Sequence, residues 1–138
     1  LWQLDSDESG MEKTFCCLAS NARDFALFGK LFKNNGQWDG QQLLDSSFVA
    51  LALKPRFQES PEYGYGWWLE TYKGHQIFME RGHLGQYVIV FPELNLITVR
   101  LGELKGERTE GNPYTEDIYI YMDAALEMAE NVTKDKSS

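Results

Sequence analysis

The sequence predicts an α+β fold, an antiparallel sheet of three to four strands with flanking helices. Three observations carry this. A helix-period apolar stripe runs through residues 21–36, strand-like runs separated by turn residues fill 63–101, and an amphipathic segment closes the chain at 115–132. At 138 residues the chain can bury a real core, and 43% hydrophobic with 14% aromatic residues is a globular composition.

In chain order, "TFCCLA" at 14–19 reads as a short buried strand or an extended lead-in. "NARDFALFGKLFKNNG" reads as a helix. Asn21 can cap it, Asp24 sits in its first turn, and Phe25, Phe28, Leu31 and Phe32 form one stripe. Lys30 and Lys33 complement the dipole near its end, and Asn35-Gly36 stops it. "QWDGQQLL" reads as a tight turn with a short extended arm. "SSFVALALKP" reads as a shorter helix, capped by Ser46 or Ser47 and ended before Pro55.

The character changes near Ser60-Pro61, so residues 1–60 are expected to form a helical lobe and 61–138 a sheet with a closing helix, together one compact domain. "YGYGWWLETY" (63–72) reads as a strand that turns at Lys73-Gly74 into "HQIFME" (75–80). "GQYVIVF" and "LITVRL" make a hairpin around "PELN". In the second arm Ile97, Val99 and Leu101 alternate with Thr98 and Arg100, which predicts one buried and one partly polar face. Residues 103–114 are charged and glycine-containing, hence an exposed loop. In "TEDIYIYMDAALEMAENV", Ile118, Met122, Ala125 and Ala129 line one side.

The formal net charge of −8, without clustered lysines or arginines, argues against a nucleic-acid partner, because phosphate neutralisation needs a basic surface. No apolar run approaches the roughly 18 to 20 residues of a membrane helix. The first residue is Leu1 rather than Met, which suggests a fragment or a processed chain. Cys16 and Cys17 are adjacent; neighbours rarely pair, so they read as two small apolar side chains.

Local catalytic signatures are missing. There is no Gly-x-Ser-x-Gly elbow, no Ser-x-x-Lys, and no His-Glu-x-x-His or Cys-x-x-Cys metal motif. His75 falls beside a turn and reads as a solvated residue. The carboxylates are scattered, as on a solvated surface. Exposed Trp2, Trp38 or Trp67 leave a non-catalytic glycan- or peptide-binding module, or a degenerate scaffold, as an alternative. Trp67 and Trp68 are consecutive, so in a strand they face opposite sides.

Four segments in order, "SNARDFALFGKLFKNNGQWDGQQLL", "YGYGWWL", "RGHLGQYVIVFPELNLITVRLG" and the closing helix, resemble the carboxy-terminal part of a β-lactamase-like serine hydrolase. That superfamily includes class C β-lactamases, DD-peptidases, esterases and relatives of 6-aminohexanoate-dimer hydrolase. The resemblance implies a partial β-lactamase/transpeptidase-like fold, with residues 1–60 the remnant of a helical lobe. It implies acyl-enzyme hydrolysis of a small amide or ester in the parent protein, without metal or organic cofactor. An exported or periplasmic location follows from the same analogy.

In that family a serine in Ser-x-x-Lys attacks, its lysine and a tyrosine of Tyr-x-Asn move protons, and a third motif, Lys-Thr-Gly or His-x-Gly, borders the cleft. Backbone N–H donors stabilise the oxyanion, each worth about 3 to 4 kcal/mol. Neither of the first two motifs occurs in this chain, so no catalytic residue is assigned and the chain alone is expected to be inactive. One register places "HLG" (83–85) on the third motif; another places that motif around Ile77 to Met79, with "GHLG" starting the next strand. The expected cleft rim is His83, Gly82, Gly85, Gln86 and Arg81, with Gln86 able to offer its amide. Glu80 and Arg81 must face opposite sides. A sheet lacking its amino-terminal strands would also expose an edge and an apolar face, which predicts self-association.

Overall fold

The computed structural model describes residues 2–13 and 16–135 and has the α+β architecture. Helix α1, Ala22–Lys33, starts where Asn21 accepts the backbone N–H groups of Arg23 and Asp24, satisfying two donors that the first turn leaves free. It stops at Asn35 and Gly36, whose φ values of 56° and 81° lie in the left-handed region. Gly29 lets α1 press onto the sheet: a Cβ there would lie 3.1 Å from methyl carbons of Val88 and Val90. Close helix–sheet approach offsets the roughly 1 kcal/mol that glycine costs inside a helix.

Strands β1 (Gln37–Trp38) and β2 (Gln41–Gln42) pair across Asp39-Gly40, both residues with positive φ, as a type I′ turn requires. Helix α2, Ser46–Ala52, follows, but its cap is Asp45 and neither Ser46 nor Ser47. The Asp45 carboxylate accepts from the N–H groups of Ser47 and Phe48. An ionised acceptor also gains from the positive end of the helix, which a hydroxyl does not.

The main sheet is antiparallel throughout, in the order β3 (Trp68–Tyr72), β4 (His75–Arg81), β5 (Tyr87–Phe91), β6 (Leu96–Arg100). Strand β3 is shorter than the 63–72 run predicts. Gly66 has a φ of +82°, Gly64 N–H donates to Trp67 O, and Tyr65 N–H donates to Ala52 O, so residues 63–67 bend toward α2 before the strand begins. The turns at Lys73-Gly74 and Asn95 form as expected.

Helix α3, Glu116–Asp135, covers one face of the sheet and buries Ile118, Met122 and Ala125 against Ile77, Met79, Tyr87, Ile89 and Phe91. The opposite face joins Phe78, Val88 and Val90 to Phe32, Val49, Ala52 and Trp67. Covered on both sides, β5 is buried at every residue. Strand β6 alternates as expected, with Ile97 and Val99 packed on the α1 side and Thr98 and Arg100 on the α3 side. All five of its residues are only half-buried, α1 lying over one face and α3 approaching the other.

Two further expectations change. Tyr114 belongs to the core, at 1% exposure, although it ends a charged loop; Trp68, Tyr119 and the α3 cluster enclose its ring. The segment 14–19 is no buried strand. Thr14 and Phe15 lie outside the described residues, while Cys16 to Ala19 are exposed. Cys16 and Cys17 form a disulfide instead of packing as apolar side chains, with Cys17 at a φ of 72°.

Candidate functional site

Strands β4 and β5 are joined by the segment 82–86, which folds into a single 3₁₀ turn over His83–Gly85. Leu84 (φ 58°) and Gly85 (φ 83°) are both left-handed, and Gly82 N–H donates to Gln86 O at 2.7 Å to close the turn. A Cβ on Gly82 would come within 2.9 Å of the Gln86 Cβ, so glycine there is a steric requirement.

Arg100 of β6 holds this turn from below. Its Nη1 donates to Gly85 O at 2.5 Å and Leu84 O at 3.3 Å, Nη2 donates to Leu104 O at 2.5 Å, and Nε donates to the Tyr121 hydroxyl at 3.0 Å. The Asp117 carboxylate lies 4.0 Å away, and the Tyr87 and Tyr121 rings flank the guanidinium. Tyr87 donates to Asp117 Oδ2 at 3.0 Å. Burial would raise the Asp117 carboxyl, but bonds from Thr115 and Tyr87 and the nearby Arg100 charge outweigh it and hold Asp117 below its usual range. Gln86 is also engaged: its Nε2 donates to Gly102 O and its Oε1 accepts Gly102 N–H at 3.1 Å. The side-chain amide that the sequence offered for a substrate is therefore taken up by the fold.

Of the five expected rim residues, the structure brings Gly82, His83, Gly85 and Gln86 into one turn. His83 and Gly82 are exposed and Gly85 is buried. Arg81 goes elsewhere. It shares the α3 face with Met79 and Tyr87, and its guanidinium lies between the rings of Trp68 (4.6 Å) and Tyr114 (4.5 Å). Its Nε is buried without a hydrogen-bond partner.

Glu80, one residue earlier, faces the α1 side with Phe78 and Val88. Burial alone pushes its carboxyl up to about 7. At the alternative third-motif position, Ile77 and Met79 are core residues under α3 and Phe78 is buried on the opposite face.

Arg100, Tyr114 and Asp117 carry much of this architecture, and the sequence did not single them out. The available signal was an arginine inside the apolar run "LITVRL", read there as part of a partly polar strand face. Two further readings change. His75 is half-buried, its Nδ1 3.4 Å from Glu93 Oε2 and its ring against Phe91. Trp67 is 1% exposed and cannot serve as a binding platform, and Lys30 lies over the Trp38 ring. Among the described residues no cluster of histidine, cysteine and carboxylate side chains could hold a metal, and no helix is long and apolar enough to cross a membrane.

Open grooves mark the surface of the described residues. One of about 450 Å³ is lined by Leu53, Pro55, Glu62, Leu69, Glu70 and Phe78 among others, and one of about 480 Å³ by Lys73, His75, Leu94, Leu126 and neighbours. Neither groove is lined by residues 81–86.

No protein-family model and no curated protein matches the chain. Among solved structures, the "Putative 6-aminohexanoate-dimer hydrolase from Bacillus anthracis" matches over 94% of this chain with a TM-score of 0.69 and 25% sequence identity. The α+β fold described above is thus shared with part of that structure. This chain spans 33% of that protein's length.

Proposed function

We propose that the chain is the carboxy-terminal part of a β-lactamase-like serine hydrolase that forms and hydrolyses an acyl-enzyme on a small amide or ester. The observation that carries this reading is the structural match over 94% of the chain, in agreement with the order of the four family-like segments. In this reading residues 1–60 belong to the helical lobe and 61–138 to the sheet. The turn 82–86 borders the reaction cleft, where His83 contacts substrate and the backbone of the turn helps form the oxyanion site. Arg100 and Gln86 act as positioning residues. They hold carbonyls and the strand partner in place, and fixed donors stabilise developing charge without reorganising. Arg81 drops out of the rim, because its guanidinium is stacked on the α3 face.

The chain holds no Ser-x-x-Lys and no Tyr-x-Asn, so the reading makes it inactive by itself. Purified chain is expected to leave nitrocefin and p-nitrophenyl acetate at their background rates and to take no label from a fluorescent penicillin or a fluorophosphonate. Stoichiometric labelling of one of its serines would overturn the inactivity. The parent chemistry is tested separately by sequencing the gene upstream of the Leu1 codon. A Ser-x-x-Lys followed by Tyr-x-Asn in frame is expected, and an upstream frame without them would remove the hydrolase reading.

A further inference from the structure

The amino-terminal residues form a small hairpin outside the sheet, held by bridges between Trp2 and Leu18 and between Leu4 and Glu12. Between the two bridges Gln3 of the first arm bonds to two residues of the second: its N–H donates to Cys17 O at 3.2 Å, and its carbonyl accepts Lys13 N–H at 3.0 Å. The Trp2 indole N–H adds a bond to Lys13 O at 2.8 Å. A hairpin this short, without a third strand, is marginal in water, so a constraint on its second arm decides whether it stays closed.

The Cys16–Cys17 disulfide sits in that second arm, next to Leu18, which bridges Trp2. Linking adjacent cysteines closes a small ring that contains their shared peptide bond. Within that ring Cys17 has a φ of 72°, a conformation disfavoured for any residue with a Cβ unless something enforces it. Both cysteines are exposed, so a thiolate can reach either sulfur.

We propose that Cys16–Cys17 is a reducible lock that keeps the amino-terminal hairpin closed and releases it when a dithiol reduces it. In the step, a thiolate of the dithiol attacks one cysteine sulfur, the S–S bond breaks, and a mixed disulfide forms. The second thiol of the reductant displaces that sulfur. The chain gains two thiols with two protons, and the dithiol is oxidised to its own disulfide. Cys17 then leaves the left-handed region, its carbonyl swings away from Gln3, and the arm leading to the Asn21 cap of α1 loosens.

Thiol counting under denaturing conditions and amide exchange test this on the whole chain. Protein purified in air is expected to show no free thiols, and two after dithiothreitol. In dithiothreitol the Gln3 and Lys13 amides are expected to exchange about tenfold faster, with the Ile89 and Val90 amides of the core unchanged as an internal control. The double variant Cys16→Ser/Cys17→Gly should keep the slow exchange with or without reductant, because glycine adopts the left-handed φ freely. Cys16→Ser/Cys17→Ala should exchange like the reduced chain. Two free thiols in air-purified protein, or equal Gln3 and Lys13 exchange in both redox states, would overturn the proposal.

Discussion

The two faces of the main sheet are built from alternate residues of the same strands, yet they treat charge in opposite ways. On the α3 face, Arg100, Asp117, Tyr87 and Thr115 form a connected set in which the arginine spends its donors on three carbonyls and a hydroxyl. On the α1 face, Glu80 stands among Phe78, Val88 and neighbouring apolar side chains, and burial dominates its titration. The difference lies in what the covering element supplies. Helix α3 presents Asp117 and Tyr121, and the loop after β6 presents the Leu104 carbonyl, whereas α1 presents the apolar edge of Phe25 and Phe32 and the bare backbone at Gly29. A charged residue on a strand is tolerated cheaply only where the layer above it brings partners.

Breaking the connected side should cost most. Arg100→Met keeps the apolar stem but leaves the Gly85 and Leu104 carbonyls without their donor and Asp117 without its cation. A loss of about 3 kcal/mol is expected in urea unfolding. Crosspeaks of residues 82–86 should broaden or shift most. A change under about 1 kcal/mol would show that the turn holds itself.

Glu80→Gln should sharpen the other side through pH. Folded Glu80 keeps its proton up to about 7, while the unfolded residue releases it near 4.5, so the folded state holds an extra proton between those values. Stability is therefore full below the lower value and falls as pH rises through about 7. The variant should match the parent near pH 4 and exceed it at pH 8, by up to about 3 kcal/mol. Equal pH profiles would mean that the carboxylate is solvated.

A smaller effect should come from the second arginine of the α3 face. Arg81 has two aromatic rings but a buried Nε without a partner, so Arg81→Met trades a stacking gain against a relieved polar burial. The expected loss is at most about 1 kcal/mol, which thermal unfolding of both arginine variants side by side would measure. The smallest change in stability should come from Ile120→Lys. Ile120, Met128 and Val132 are exposed on α3, and β6 ends the sheet among the described residues. Self-association is expected through this apolar flank. Light scattering should show parent oligomers reverting to monomer in the variant, with stability shifted by less than about 0.5 kcal/mol. A parent that is monomeric at high concentration would remove that expectation.

Much of this fold was legible because local physics and tertiary packing agree. Asn21 and Asn35-Gly36 delimit α1 by capping and left-handed turn chemistry, and the Lys73-Gly74 and Asn95 turns set the hairpins. The apolar run of β5 announced a strand, and Ile118, Met122 and Ala125 marked the inner face of α3. The candidate site was legible only as a segment. "GHLG" was read as a third motif or as the start of the next strand, and its turn appears only in the structure; Gln86 had no visible partner because Gly102 lies on the neighbouring strand's exit. Arg81 looked equivalent to its neighbours because the slot between Trp68 and Tyr114 joins residues distant in sequence.

What the sequence determined by itself is the set of elements, their order and the α+β class. Each of these rests on periodicity, caps and turn residues that act within a few positions along the chain. Tertiary structure alone decided which polar residues are satisfied, that Tyr114 and Trp67 are core, that Asp45 caps α2, and that Cys16 and Cys17 are joined. Those outcomes depend on groups brought together from separate elements, or on a backbone conformation such as the left-handed φ of Cys17 that no residue type announces. The turn at 82–86 shows the division: the glycines wrote its bend, and Arg100 from another strand gave it a fixed shape.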